Sequence, residues 1–175
     1  MDEYTRSSKR LLYRVLYPED LDAFYEVHRH DEVGKWLLTG RGKTKEETLA
    51  KIYLYQKSFK ERGFGTWGVF EKASGKLIGQ AGLEDTSKNK PGIQYAFMPS
   101  AWNKGYGSES LAFIFEYGFT EAKMEVIIAG VFEDNTHSRH VVEKAGMKYL
   151  GIDDFSGHIM CLYAITKEEW QNEKI

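Results

Sequence analysis

Lys104, Gly105, Gly107, Ser108 and Ser110 fall in the stretch PSAWNKGYGSES (99–110), between an alternating run, GIQYAFM, and an apolar run, LAFIFEYGF. A strand that turns into a helix there leaves the first backbone N–H groups of the helix without helical acceptors. With the macrodipole, those groups attract anions. Glycine at 105 and 107 removes side chains from that end, so a bulky pyrophosphate can approach the backbone. Asn103, Lys104 and Ser108 add side-chain donors. The chemistry suggested is phosphate binding. Two familiar phosphate turns are excluded by residue order: a P-loop carries its lysine after the last glycine, whereas Lys104 precedes Gly105, and a dinucleotide turn wants glycine where Ser110 stands.

The elements that position this turn are read from periodicity. RLLYRVLY (10–17) alternates as a first strand, and Pro18 suits a helix start. Helical spacing follows through Leu21, Phe24, Tyr25 and Val27, with a break near His30. Thr44 and Glu47 form a capping box for a second helix that ends at the glycines of GFG (63–65). TWGVFEK and KLIGQAGLE form a hairpin around ASG, and IQYAFM (93–98) is the next strand. The helix predicted over 107–122 is apolar on most sides and so well buried. EVIIAGVF (125–132) suits the middle of a sheet. Asn135 is an N-cap type for a helix that stops at Gly146. KYLGID and HIMCLYAI close the sheet, and TKEEW adds a last helical turn. The order β-α-α-β-β-β-α-β-α-β-β implies a mixed α/β fold with helices on both faces of one sheet, not a repeating βαβ unit.

Composition narrows the function classes. The 175 residues fit a single domain, 1–175, and at 42% hydrophobic and 14% aromatic they can build a core. Lys plus Arg is 24 against 26 Asp plus Glu, a formal charge of −2 with no basic excess for nucleic acid. No apolar run reaches the roughly 18 residues of a membrane span, and the start lacks the apolar core of a signal peptide. One cysteine, Cys161, suits a reducing, cytoplasmic setting and reads as a core residue. His137 and His140 share a helix face, but no third ligand is near in sequence, so no metal is expected.

Taken together, YAFMPSAWNKGYGSESL and IIAGVFEDNTHSRHVVEKAGM resemble the acetyl-CoA core of the GNAT N-acetyltransferase superfamily. The ends of the chain, SKRLLYRVLYPEDLDAFYEVH and LYAITKEEW, are similar to its RimJ/RimL-like branch, whose namesakes acetylate ribosomal-protein N-termini. The resemblance implies a mostly antiparallel, seven-stranded sheet splayed in the middle. It implies direct acetyl transfer from acetyl-CoA, as co-substrate, to a primary amine such as a protein N-terminus or a small amine. Gly105 and Gly107 match the last two positions of the family's Gln/Arg-x-x-Gly-x-Gly/Ala, while Trp102 replaces the first. By resemblance, backbone N–H groups from Asn103 to Ser108, Lys104 and Tyr106 included, hold the pyrophosphate. The strand through Phe97 and Met98 pairs with the pantetheine arm, and one of their N–H groups polarises the carbonyl. Asn135 and Ser138 match N-x-x-S. Asn135 faces the pantetheine or caps its helix, and Ser138 protonates the departing thiolate, since the tyrosine that many relatives use is here Val142.

The base is left open by the residues. An α-amine, with a pKa of about 8, needs less help than a lysine amine near 10.4, so a water-relayed carboxylate or histidine suffices. Glu84 is the first candidate. Tyr95 and His28 follow, and Asp153 and Asp154 are placed in a loop facing the acceptor. A homodimer is compatible with all of this. The alternative reading is a non-catalytic CoA-binding sensor or assembly module of the same fold.

Overall fold

A computed structural model describes residues 3–155 and 157–172. Their strands form one eight-stranded sheet: β1 (Arg6–Ser7), β2 (Leu11–Arg14), β3 (Thr66–Glu71), β4 (Leu77–Asp85), β5 (Pro91–Phe97), β6 (Val126–Val131), β7 (Lys148–Phe155) and β8 (His158–Thr166), in the order β1-β2-β3-β4-β5-β6-β8-β7. The expectation of seven strands is corrected by β1. This two-residue strand pairs Arg6 with Tyr13 and Ser7 with Leu12, and it is too short to carry a periodicity. The helices are α1 (Leu21–His28), α2 (Asp31–Gly34), α3 (Lys45–Arg62), α4 (Tyr106–Glu116), α5 (Thr136–Lys144) and α6 (Lys167–Asn172). The capping box of α3 forms as its sequence requires: Glu47 N–H donates to Thr44 Oγ1 at 3.2 Å and Thr44 N–H donates to Glu47 Oε2 at 2.8 Å. Gly63 ends that helix in the left-handed conformation, φ 75°. Beyond Glu116 the chain winds one π-helical stretch, Tyr117–Glu121, before β6.

Every adjacent pair of strands is antiparallel except β5 and β6. These two run parallel and register at a single pair, Gly92 with Ile128, whereas β4 and β5 register over seven, Gly79–Phe97 to Asp85–Pro91. Past Ile128 and Gly92 the two strands diverge toward their C-terminal ends, and the sheet splits.

The register also sorts the side chains by face, because partners opposite one another point the same way. Gln80 with Ala96, Gly82 with Gln94 and Glu84 with Gly92 share one face. Tyr55 of α3 and His28 of α1 reach Gln80 there, so α1 and α3 cover it. Tyr95 and Phe97 point to the other face, covered by α4 and α5. The split therefore opens a passage from one face of the sheet to the other.

Candidate active site

The passage is a cleft of about 660 Å³. On the α4/α5 face its walls are Tyr95, Phe97, Gly105–Ser108 and Asn135–Ser138; on the α1/α3 face they include Trp36, Leu37, Glu84, Phe155 and Met160. The two sequence motifs meet here because β5 and β6 are parallel. Each strand runs out of the open end of the split into the start of a helix, α4 or α5.

The glycine turn has the backbone its sequence calls for. Asn103 and Gly105 are left-handed, φ 59° and 76°, and Gly105 leads directly into α4. A methyl group at Gly107 would lie 3.6 Å from Tyr95 Cε2 and 3.9 Å from Val141 Cγ1, so the helix end is close to both walls without touching them. Lys104 and Ser108 are exposed, and Tyr106 is buried and donates to Glu71. Ser110 is withdrawn from the turn: it is fully buried and its hydroxyl lies 3.3 Å from Tyr13 Oη.

The turn has a brace that sequence reasoning missed. Arg10 donates to the carbonyl of Lys104 at 2.8 Å and to Glu109 in the first turn of α4 at 2.7 Å, and its guanidinium stacks over the Tyr106 ring at 4.6 Å. It lies 94 residues from Lys104 in the chain. No local pattern could have paired them.

Tyr95 Oη and Ser138 Oγ are 2.7 Å apart, joining β5 to α5 across the split. Burial pushes the Tyr95 phenol up, against a smaller opposing pull from Ser138. Asn135 caps α5, its Oδ1 accepting from Ser138 N–H at 3.1 Å, so the capping reading of Asn135 holds and the same contact fixes the Ser138 backbone. Of the two N–H groups considered for the carbonyl, that of Met98 is spent on Ile78 O at 2.9 Å. Successive N–H groups of a strand alternate sides, so the Phe97 N–H faces the split. Trp102, at the variant position of the glycine motif, donates its indole N–H to Phe97 O at 2.8 Å. It thereby pairs a carbonyl that the diverging strands leave without a ladder partner.

Glu84 lies on the opposite face of the sheet from Tyr95 and Ser138, and the three line the same cleft from its two sides. Its carboxylate accepts from Thr66 Oγ1 at 3.3 Å, and from the Gln94 amide in the orientation that satisfies both ends of that amide. Behind Gln94 the polar contacts run inward through Tyr55 to Gln80, whose Oε1 is 3.1 Å from Tyr55 Oη and 2.7 Å from His28 Nε2. Burial lowers the His28 pKa to about 4, leaving a neutral ring that does not line the cleft. The expectation of an acceptor-side loop at Asp153 and Asp154 is corrected: both are strand residues of β7, opposite Met160 and Ile159, and Asp153 is held by Lys88 at 2.6 Å. The hydrophobic run of β8 pairs that far along β7, and among the described residues of the segment Phe155 reaches the cleft. Among the described residues no His, Cys, Asp or Glu come together in a group that could hold a metal ion, and no helix is long and apolar enough to cross a membrane.

Residues 10–148 match the sequence family described as the acetyltransferase (GNAT) domain. The chain is 26% identical over 145 residues to the uncharacterized N-acetyltransferase YoaA of Bacillus subtilis (strain 168), covering 82% of each. Among solved structures it is similar to a GNAT-family acetyltransferase from Bacillus anthracis, at 27% identity and TM-score 0.78 over 94% of this chain and 99% of that one. It also shares its fold, at 18% identity and TM-score 0.76 over 94% of this chain and 100% of that one, with the Vibrio cholerae spermidine N-acetyltransferase solved with CoA and spermine. A split mixed sheet, with two helix starts at the open end and this match over most of the length, makes the chain a member of the GNAT acetyltransferase family and an acyltransferase.

Proposed function

We propose that the protein is a single-domain N-acetyltransferase that moves an acetyl group directly from acetyl-CoA to a primary amine. One observation carries the reading: both sequence motifs line the same split between β5 and β6, on the face where α4 and α5 begin. The reading extends to a RimJ/RimL-like branch on the strength of Trp102 in the glycine turn and Ser138 three residues after Asn135.

The residues fit a thioester donor on chemical grounds. The backbone N–H groups from Asn103 to Ser108, with Lys104, offer donors and positive charge to a pyrophosphate. The Phe97 N–H polarises the thioester carbonyl. Glu84, directly or through a water, takes the proton that the amine must lose as its nitrogen bonds the carbonyl carbon. As the carbon–sulfur bond breaks, the Tyr95–Ser138 pair returns a proton to the sulfur. The raised Tyr95 pKa keeps that phenol protonated at neutral pH, as an acid requires. Base and acid thus work from opposite faces of the sheet.

The test is free-thiol release from acetyl-CoA against a panel of amines, with CoA binding followed by thermal shift. Amine-dependent thiol release together with a CoA-induced rise in melting temperature is the expected result. A rise without release from any amine returns the protein to a CoA-binding module, and no rise at all removes the phosphate role of residues 103–108.

A further inference from the structure

The acceptor end of the cleft has a wall chemistry that restricts the amine. Phe155 is seated there by two glycines. A methyl group on Gly130 would lie 2.5 Å from the Phe155 ring, so a larger residue there would displace it, while one on Gly92 would lie 3.3 Å from the ring and meet Thr86 Cγ2 first, at 2.3 Å. Phe155 and Met160 pack with Ile128 on one side of the split; Val33 and Leu37 pack on Ala96 on the other. Trp36 and Leu38 extend that second wall.

Among the described residues three carboxylates, Glu84, Asp85 and Asp134, line these walls, and two of them already face a cation. Asp85 is paired with Arg62, and Asp134 lies 3.7 Å from Lys35. Glu84 is different, because the contacts fixing its carboxylate come from neutral groups, Thr66 and Gln94. The buried Lys43 ammonium feels Glu84 as the weakest of the influences on it and donates to Thr39 Oγ1 at 3.0 Å. One carboxylate between apolar walls balances one positive charge. A second or third ammonium of a polyamine would have to compete with Arg62 or Lys35 for Asp85 or Asp134, or take the Trp36 face that the Lys35 ammonium already covers at 4.2 Å.

Resting on the acetyltransferase reading above, we propose that the acceptor is a monoamine whose charged nitrogen meets Glu84 and whose adjoining aromatic or branched apolar group lies against Phe155 and Trp36, and that polyamines are rejected. That chemistry is shared by a free arylalkylamine and by a peptide with an apolar N-terminal residue.

Binding to the CoA-loaded protein separates the cases without relying on turnover. Calorimetry is run with 2-phenylethylamine, with the tripeptide amide Phe-Gly-Gly, and with spermidine. At least one of the first two should bind about tenfold or more tighter than spermidine, and the tighter of the two names the source. Glu84→Gln should weaken that ligand about tenfold. Phe155→Ala should do the same, with recovery in Phe155→Leu, which keeps the apolar wall and guards against a misfolded variant. Tighter binding of spermidine, or binding of neither apolar amine while CoA still binds, overturns the inference alone. Failure of CoA itself to bind overturns the acetyltransferase reading, and the inference falls with it.

Discussion

The Tyr95 and Ser138 hydroxyls meet at 2.7 Å across a split whose flanking strands, β5 and β6, share almost no backbone pairing. β5 and β6 register only at Gly92 and Ile128, so this side-chain bond bridges the opening at the depth where a thioester sulfur would lie under the proposed function. If the pair supplies the proton to the sulfur, Tyr95→Phe and Ser138→Ala should each lower kcat by about tenfold or more, within the usual range of general-acid effects. Binding of CoA should change by less than about threefold. Because burial raises the Tyr95 pKa, its titration lies above the ordinary tyrosine value near 10. Any alkaline decline of the wild-type rate that comes from this phenol should therefore centre above that value and be absent in Tyr95→Phe. A kcat unchanged in both variants would reduce the pair to a clasp between β5 and α5.

The two glycines of the turn make different demands, and substitution separates them. Gly105 is left-handed, and a methyl group added there would find only Arg10 Nη2 nearby, at 3.5 Å, so alanine meets backbone strain and no collision. Gly105→Ala should cost about 1–2 kcal/mol of stability. Gly107 is helical, and a methyl group there would meet Tyr95 Cε2 and Val141 Cγ1 only at the ordinary contact distances of 3.6 and 3.9 Å, so Gly107→Ala should leave the melting temperature almost unchanged and yet weaken CoA, by about tenfold or more, because its side chain occupies the pyrophosphate approach. Equal losses of stability and affinity in both variants would contradict that division.

The sequence carried most of the fold because its elements are locally specified. The capping box at Thr44 and Glu47, the stop at Gly63 and the alternation of Ile93, Tyr95 and Phe97 are each legible within a few residues. The glycine turn and the Asn135 cap were legible for the same reason. What escaped was long-range. Arg10 reaches Lys104 across 94 residues, and His28 reaches Gln80 across 52. The wall residue Phe155 escaped for a related cause: DDFSG has turn composition, and only pairing with β8 makes its first three residues a strand. Which face Glu84 occupies likewise depends on the register of β4 with β5, which no single segment encodes.

Burial of His28 makes a pH prediction. Its folded pKa of about 4 lies below the ordinary value of 6.5, so between those values the unfolded chain binds the proton and the folded chain does not. Stability is full above about 6.5 and is lost as the pH falls toward 4, by about 3 kcal/mol on the size of that shift. Two of the buried atoms involved, His28 Nδ1 and Gln80 Nε2, have no hydrogen-bond partner among the described residues, so protonation of the ring finds no acceptor ready for it. Urea unfolding from pH 7 to 4 should show the decline, and His28→Gln, which cannot titrate, should flatten it. An unchanged slope in the variant would assign the loss to carboxylates instead.

Arg10 offers the sharpest distinction between support of the fold and support of the site. Its ion pair with Glu109 is partly exposed, and such pairs contribute about 0–1 kcal/mol, so Arg10→Ala should lower the unfolding free energy by no more than that. The bond to the Lys104 carbonyl acts differently, because it holds the left-handed turn whose N–H groups must all face one ligand. Loss of that bond should weaken CoA by about three- to tenfold. Arg10→Lys should fail to restore the affinity, since a single ammonium cannot reach Glu109 and Lys104 O together in the forked geometry a guanidinium provides. Glu109→Ala should weaken CoA less than Arg10→Ala, and the double variant should show coupling rather than a sum, because both residues fix the same turn. Calorimetry of CoA binding beside urea unfolding reads the two effects separately. A stability loss with unchanged CoA affinity would make Arg10 a surface brace for α4 and nothing more.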